Sequence, residues 1–266
     1  MLPVFRRTID LLKPATDLPL IFLWKCASHL FCLSLGPRLK YSAPYTPFAF
    51  QSGNPFLIRV FMPTTTSIAH ELWTADEFLD WLEPGVFADL IDGEILMHSP
   101  VSLLHGNLTN FLDRLLASFI EHQGLGGVVH REVIAVRMSQ RSVVMPDIAF
   151  YTREQEALFQ EMHIPVAPTW VAEILSPTTA LNDVGRKFAK YEEYGVKEYW
   201  VLDPKALAHR FYSRRDNLLL EFGQNEEIIR SGAIPGFWVK RSWLDRQLRV
   251  NPTVAEALAQ LVALDK

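Results

Sequence analysis

The stretch TWVAEILSP (169–177) carries Trp170, Val171, Ala172, Ile174 and Leu175 in a short apolar run that stops at Ser176-Pro177, with one carboxylate, Glu173, inside it. A short apolar run bounded by breakers reads as a buried strand. Alternation puts Ala172 and Ile174 on one face and Val171, Glu173 and Leu175 on the other, so Glu173 lies on an otherwise apolar stripe. The run VVMPDIAFY (143–151) repeats the anomaly at Asp147. An unpaired carboxylate in a core is neutralised or excluded, so each needs a cation, a hydrogen-bond network or a strand end open to a cleft. The plain alternative is that alternation turns both outward to water. A divalent metal would satisfy both; magnesium takes oxygen ligands, one or two carboxylates with waters and substrate phosphate.

Outward from these strands, the punctuation is regular. TADEFLDWL (74–82) pairs a cap residue, Thr74, with Glu77 three positions on, which predicts a short helix ending at Pro84-Gly85. FADLIDGEILMHSP (87–100) alternates about Asp92-Gly93, a hairpin signal. Leu104, Leu108, Phe111, Leu112, Leu115, Phe119 and Ile120 recur at helical spacing until the glycines at 124, 126 and 127. Strands are expected over 128–138, 143–151, 170–175, 197–203, 208–212 and 218–222, with a turn at Asp216-Asn217. A helix behind Asn182 carries Val184, Phe188 and Tyr191 and ends at Gly195. This order predicts an α/β fold of the mixed α+β kind, with one central mixed β-sheet flanked by helices.

Of the 266 residues, 49% are hydrophobic and 21% charged, which excludes a disordered chain. Two cysteines exclude a disulfide framework, no CxxC pair or HExxH stretch announces zinc, and a cytoplasmic setting is expected. The net charge of −4 leaves room only for a local nucleic-acid patch. Charge is uneven: residues 1–61 carry seven Lys/Arg against two Asp/Glu, and 62–266 carry 19 against 28. The apolar run 18–35 is broken by Pro19, Lys25, His29 and Ser34, so no membrane span is expected, and Cys26, His29 and Cys32 lack a fourth ligand nearby. Residues 1–61 are expected to be an over-extended gene start, with translation beginning at Met62, the alternative being a real but poorly ordered extension; the functional domain is expected to span 62–266.

The ordered motifs IDGE (91–94), an amphipathic helix, MPD (145–147), AEILSPTT (172–179), DVGRKFAKY (183–191) and VKEYWVLDP (196–204) resemble a family of restriction-endonuclease-like proteins within the PD-(D/E)XK nuclease superfamily. The resemblance runs from Thr74 to Asp245, with Ile234-Pro235-Gly236-Phe237 similar to the family's closing strand; nothing in 1–61 resembles it. It implies a restriction-endonuclease-like core and metal-dependent hydrolysis of DNA phosphodiester bonds. Asp147 is similar to the superfamily's central metal-binding aspartate, and Glu173 to the acidic residue of the second half-motif. Ile174 would offer its backbone carbonyl to the same metal, and Glu94 resembles the upstream acidic residue that completes the site. Magnesium is the implied cofactor, with manganese able to substitute. DNA is the implied partner, with a homodimer as one route to cutting both strands and no organic cofactor.

One position departs from the pattern. The lysine expected two residues after Glu173 is Leu175, which can neither position the attacking water nor stabilise charge on the phosphate. The resemblance implies that the lysine can migrate to the following helix, where Lys187 is the replacement candidate; Asp183, Lys187 and Tyr191 stand at i, i+4 and i+8 there and can face one cleft. The bland alternative is an Asp183–Lys187 surface pair; Lys190 is a second candidate. His98 and His105 read as surface residues near the start of the long helix, Trp170, Tyr199 and Trp200 as core, and Arg210, Arg214 and Arg215 as a solvated hairpin face. Ser176 lacks GxSxG context. Two rivals remain: a nucleic-acid-binding or regulatory module on the same fold without turnover, which Leu175 favours, and a metal-dependent hydrolase of another phosphoester.

Overall fold

The computed structural model describes residues 72–131, 134–176, 182–246 and 251–263, apart from the side chains of 182–184. All lie within the compact unit Thr66–Lys266. The expectations placed on residues 1–61, and on the side chain of Asp183, fall outside the described residues.

Thr74 and Glu77 form the expected capping box of helix α1 (Ala75–Trp81): the Glu77 N–H donates to the Thr74 hydroxyl, and the Thr74 N–H donates to Glu77 Oε2 at 3.1 Å. Strands β1 (Ala88–Ile91) and β2 (Glu94–Met97) pair antiparallel about Asp92-Gly93, whose φ values of 54° and 85° are those of a hairpin turn matched to strand twist. Helix α2 (Leu103–Gln123) starts at the Ser102 hydroxyl, which accepts from the His105 N–H, and ends at left-handed Gly124. Its apolar stripe, Leu108, Phe111, Leu112, Leu115, Phe119 and Ile120, is buried throughout.

Two runs expected as single strands are each divided. Residues 128–138 yield β3 (Val128–Arg131) and β4 (Val136–Ser139), and 143–151 yield β5 (Ser142–Val144) and β6 (Ile148–Tyr151). The cause is pairing at a distance: β3 and β6 pair with each other in one sheet, and β4 and β5 in another. Pro146 has no N–H to give a ladder, so the chain crosses between sheets at Met145-Pro146-Asp147. The short helix α3 (Arg153–Glu156) precedes β7 (Trp170–Ile174). A π-helical turn (Asn182–Lys187) then leads into α4 (Phe188–Glu193), followed by β8 (Glu198–Leu202). Strands β9 (Arg210–Arg215) and β10 (Leu218–Phe222) form a hairpin about Asp216-Asn217. The chain continues through β11 (Ile228–Arg230), β12 (Trp238–Lys240), a 3-10 turn (Arg241–Leu244) and α5 (Val254–Ala263).

The fold is mixed α/β, as expected, but among the described residues the strands form three sheets. A six-stranded sheet, β10-β9-β8-β7-β6-β3, is mixed because β7 and β8 run parallel; a four-stranded sheet, β2-β1-β5-β4, and the β11-β12 pair are antiparallel. Residues of α2 and α5 pack against one face of the large sheet around Trp170, Trp200 and Phe211. On its other face Val171, Tyr199 and Val201 meet Tyr191 of α4 and Ile91, Val136 and Val144 of the smaller sheet. Ala172 and Ile174 join the first cluster, and Val171 and Leu175 the second, so the alternation read from sequence holds and Glu173 faces the junction between the two sheets.

Arg214 is half-buried rather than fully solvated. Its guanidinium donates to the carbonyls of Val196, Tyr191 and Glu192, closing the C-terminal end of α4. Ahead of β9, His209 is buried, and its Nδ1 has no partner among the described residues. Burial, reinforced by the charge of Arg241, pushes its imidazole down to about 4. An unfolded histidine titrates near ~6.5. The neutral buried ring therefore contributes stability that is complete above that pH and is lost as pH falls toward 4. Melting followed from pH 7 to 5 should show a slope that flattens in His209→Gln; an unchanged slope would remove this histidine from the acid response.

Candidate active site

The crossing at Met145-Pro146-Asp147 brings two groups of polar side chains to the junction between the sheets. In the first, Asp147 Oδ2 accepts from the Ile174 N–H at 2.6 Å and lies 3.3 Å from His105 Nε2. His105 is 2% exposed, and its Nδ1 is 3.3 Å from the Thr109 hydroxyl one turn along α2. Its side chain thus braces Asp147 from the helix while β7 holds it from the sheet. Both contacts fall on the same carboxylate oxygen, and Asp147 lines an open cavity of about 390 Å³.

The second group is a buried chain of charges. Lys187 Nζ lies 3.0 Å from Glu173 Oε1 and 3.1 Å from Asp89 Oδ2, with all three residues 3% exposed or less. Glu173 Oε1 also accepts from the Tyr191 hydroxyl at 2.5 Å. Asp89 Oδ2 is 2.8 Å from His98 Nε2, and Oδ1 accepts from the Met145 N–H at 2.7 Å. Burial alone would raise the Asp89 carboxyl, but the Lys187 ammonium, His98 and the Met145 N–H outweigh it and hold the group below the usual carboxylate range. Burial, with the adjacent Glu173 charge, holds the Tyr191 phenol well above its ordinary value, so it acts here as a donor.

Of the residues singled out in sequence, Asp147 meets the Ile174 N–H in the first group, and Glu173, Lys187 and Tyr191 meet in the second. Ile174 enters through its N–H. Lys187 and Tyr191, four apart where the π-helical turn passes into α4, both reach Glu173 Oε1, and the ammonium thus arrives beside the carboxylate although Leu175 stands in the motif position.

Glu94 is placed differently. It sits at the turn end of the β1–β2 hairpin, more than half exposed, with Arg186 Nη1 2.9 Å away, while the same guanidinium donates to the Ile91 carbonyl. Lys190 also grips this turn, at 2.7 Å from Asp92 Oδ1, and contacts Glu193. Burial opposes the charged Lys190, but Asp92 and Glu193 outweigh it and raise its ammonium above the ordinary value. The carboxylate that shares Lys187 with Glu173 is Asp89, buried on the same hairpin. Its signal was in the sequence: an acidic residue within ADLI (88–91), four residues that are all buried. His105, read as a solvated or hydrogen-bonded surface residue, is buried instead and stands on Asp147, while His98 is partly exposed and hydrogen-bonded to Asp89. The first turn of α2 buries His105 on the face it shares with Leu108, Thr109 and Leu112.

Burial of a carboxylate is not by itself a site. Glu198 is fully buried, yet it accepts from Trp200 Nε1, Ser231 Oγ and the N–H groups of Gly232 and Ala233, and so holds the turn before β12. Burial raises its carboxyl despite these donors. Asp147 differs in lining an open cavity, and Glu173 in pairing with a lysine. Glu94→Gln should change stability by less than about 1 kcal/mol, as for other exposed pairs. Asp89→Asn, which takes a charge from Lys187, should cost about 1–3 kcal/mol. Denaturant melts of the two variants beside the wild type check both figures, and equal losses would contradict the different environments.

The fold is a mixed α/β architecture with a central mixed sheet flanked by helices, consistent with a restriction-endonuclease-like core. The chain matches the Uma2 family, described as "Putative restriction endonuclease", over residues 75–247, and it belongs to that family. A solved structure described as a "putative nuclease belonging to DUF820" from Anabaena variabilis ATCC 29413 is similar with a TM-score of 0.52. Identity is 18%, and the match covers 71% of this chain and 98% of that one; the likeness is one of fold. A search of curated proteins finds no match. Among the described residues no group of three or more His, Cys, Asp or Glu side chains is arranged to hold a metal ion, and no helix is long and apolar enough to cross a membrane.

Proposed function

We propose that the protein is a metal-dependent DNA endonuclease of the PD-(D/E)XK superfamily that hydrolyses phosphodiester bonds. The observation that carries this reading is the approach of Lys187 to Glu173 while Ile174, the next residue, fixes Asp147. That arrangement puts a carboxylate pair and an ammonium at one sheet junction without a lysine at position 175.

The donor set suits magnesium, with manganese as a substitute. The candidate ligands are oxygen donors, magnesium needs only one or two carboxylates, and both contacts of Asp147 fall on Oδ2 beside an open cavity. Asp147 and Glu173 would hold the ion, with the Ile174 carbonyl as a further donor. When bound, it would polarise a phosphoryl oxygen and lower the pKa of a coordinated water. Lys187 would orient that water and offset the charge gathering on the phosphate. His105 and the Ile174 N–H keep Asp147 in one orientation, which limits the reorganisation needed when substrate arrives. Asp89 and His98 hold Lys187 from the other side; in this reading Asp89 takes the place first assigned to Glu94. A cytoplasmic setting and action as a pair of copies complete the proposal.

The test is a supercoiled plasmid incubated with the protein in magnesium, manganese or EDTA, and again with a competing phosphomonoester. Nicking that needs either metal and resists the competitor supports the reading. DNA binding by folded protein without cleavage in either metal would support the binding-module alternative, and inhibition by the phosphomonoester the hydrolase of another ester.

A further inference from the structure

The cavity beside Asp147 has a chemistry of its own. Phe87, Pro100, Val101 and Met145 form its apolar walls, and His98, Ser99 and Asp147 supply its polar groups. Among the described residues that line it, none is a lysine or an arginine. Phosphate rows of a duplex are held by cations and N–H donors, and a wall with one carboxylate and no cation is a poor cradle for them. An exposed aromatic ring, apolar walls and a few polar groups suit a planar, uncharged heterocycle. Phe87 is 41% exposed, and its carbonyl accepts from the His98 N–H at 2.9 Å, which extends the β1–β2 ladder by one pair. The ring is therefore carried on a rigid hairpin, with Val101 half exposed in the same cavity.

We infer that this cavity is a nucleobase subsite. It takes an unpaired base from the strand whose phosphate meets Asp147, stacks it on Phe87, and so directs the enzyme to single-stranded or locally unpaired DNA. The inference rests on the nuclease reading for the identity of the substrate. A base inside a duplex cannot reach the cavity without leaving its stack, which costs a few kcal/mol and is least for one already unpaired.

The test uses the full chain with calcium in place of magnesium, so that a cation still stands between Asp147 and the phosphate, with an oligonucleotide carrying 2-aminopurine whose fluorescence is quenched by stacking. The wild type should quench the single-stranded probe and leave the same base in a duplex bright. Phe87→Ala should weaken binding about tenfold, as expected for loss of one base–aromatic stack, and Phe87→Trp should restore it. Melting of both variants should match the wild type, since the ring is substantially exposed. Binding of the single strand by Phe87→Ala as tight as wild type, or equal quenching of the duplex probe, overturns the subsite. The two readings separate cleanly. Metal-dependent plasmid nicking without quenching would keep the nuclease and remove the subsite, while quenching without nicking would do the reverse.

Discussion

Lys187→Met is expected to lose about 3–5 kcal/mol of stability, because it leaves buried charge without its partner. The ammonium it removes lies within 3.1 Å of both Asp89 and Glu173, each almost fully buried. Methionine fills the volume of the stem but supplies no charge, so the loss is electrostatic rather than a cavity. Cleavage should fall by about 10² or more through loss of the group that orients water and meets charge on the phosphate. To separate the effects, cleavage is measured at a temperature where the variant is fully folded by circular dichroism. A variant that is folded and cuts at the wild-type rate would assign Lys187 a structural role only.

Glu173→Gln should show the opposite division. The amide still offers an acceptor to the Tyr191 hydroxyl, and Lys187 keeps Asp89, so the loss of stability should stay at about 1–3 kcal/mol, as for Asp89→Asn. What is lost is one negative charge at the proposed metal position. Metal stabilisation of the reacting phosphate amounts to several kcal/mol, and each ~1.4 kcal/mol is tenfold in rate, so a fall of about 10²–10³ is expected. Metal binding read by manganese paramagnetic resonance should weaken in parallel. Unchanged binding with unchanged cleavage would put the metal elsewhere.

How far the site could be read ahead of the structure depended on the range of the interactions involved. Asp147 and Glu173 were legible because a charge within an apolar run violates a local rule, and such a violation needs a partner. Lys187 was legible because the resemblance calls for a lysine that Leu175 does not supply, and helical spacing places Lys187 one turn from Tyr191. Asp89 carries the same local signal, whereas the motif at 91–94 points to Glu94, whose partner is Arg186. His105 was missed because its burial comes from α2 packing on a sheet that closes only when β6 and β7 pair, far along the chain. Division of 128–138 and 143–151 between two sheets was hidden for the same reason. A strand's apolar pattern records that it is buried, and its partner is chosen by long-range register. Pro146 was the visible clue, and the crossing it marks is what delivers Asp147 to the junction.

The most direct test of the account is plasmid nicking in magnesium by the full chain beside Asp147→Ala purified identically. The account predicts metal-dependent nicking by the wild type and none by the variant at a temperature where both are folded; the variant should lose about 1–3 kcal/mol of stability, because Asp147→Ala leaves the buried Ile174 N–H and His105 without their acceptor. Equal nicking by both proteins would contradict the account and place any nuclease activity outside this site.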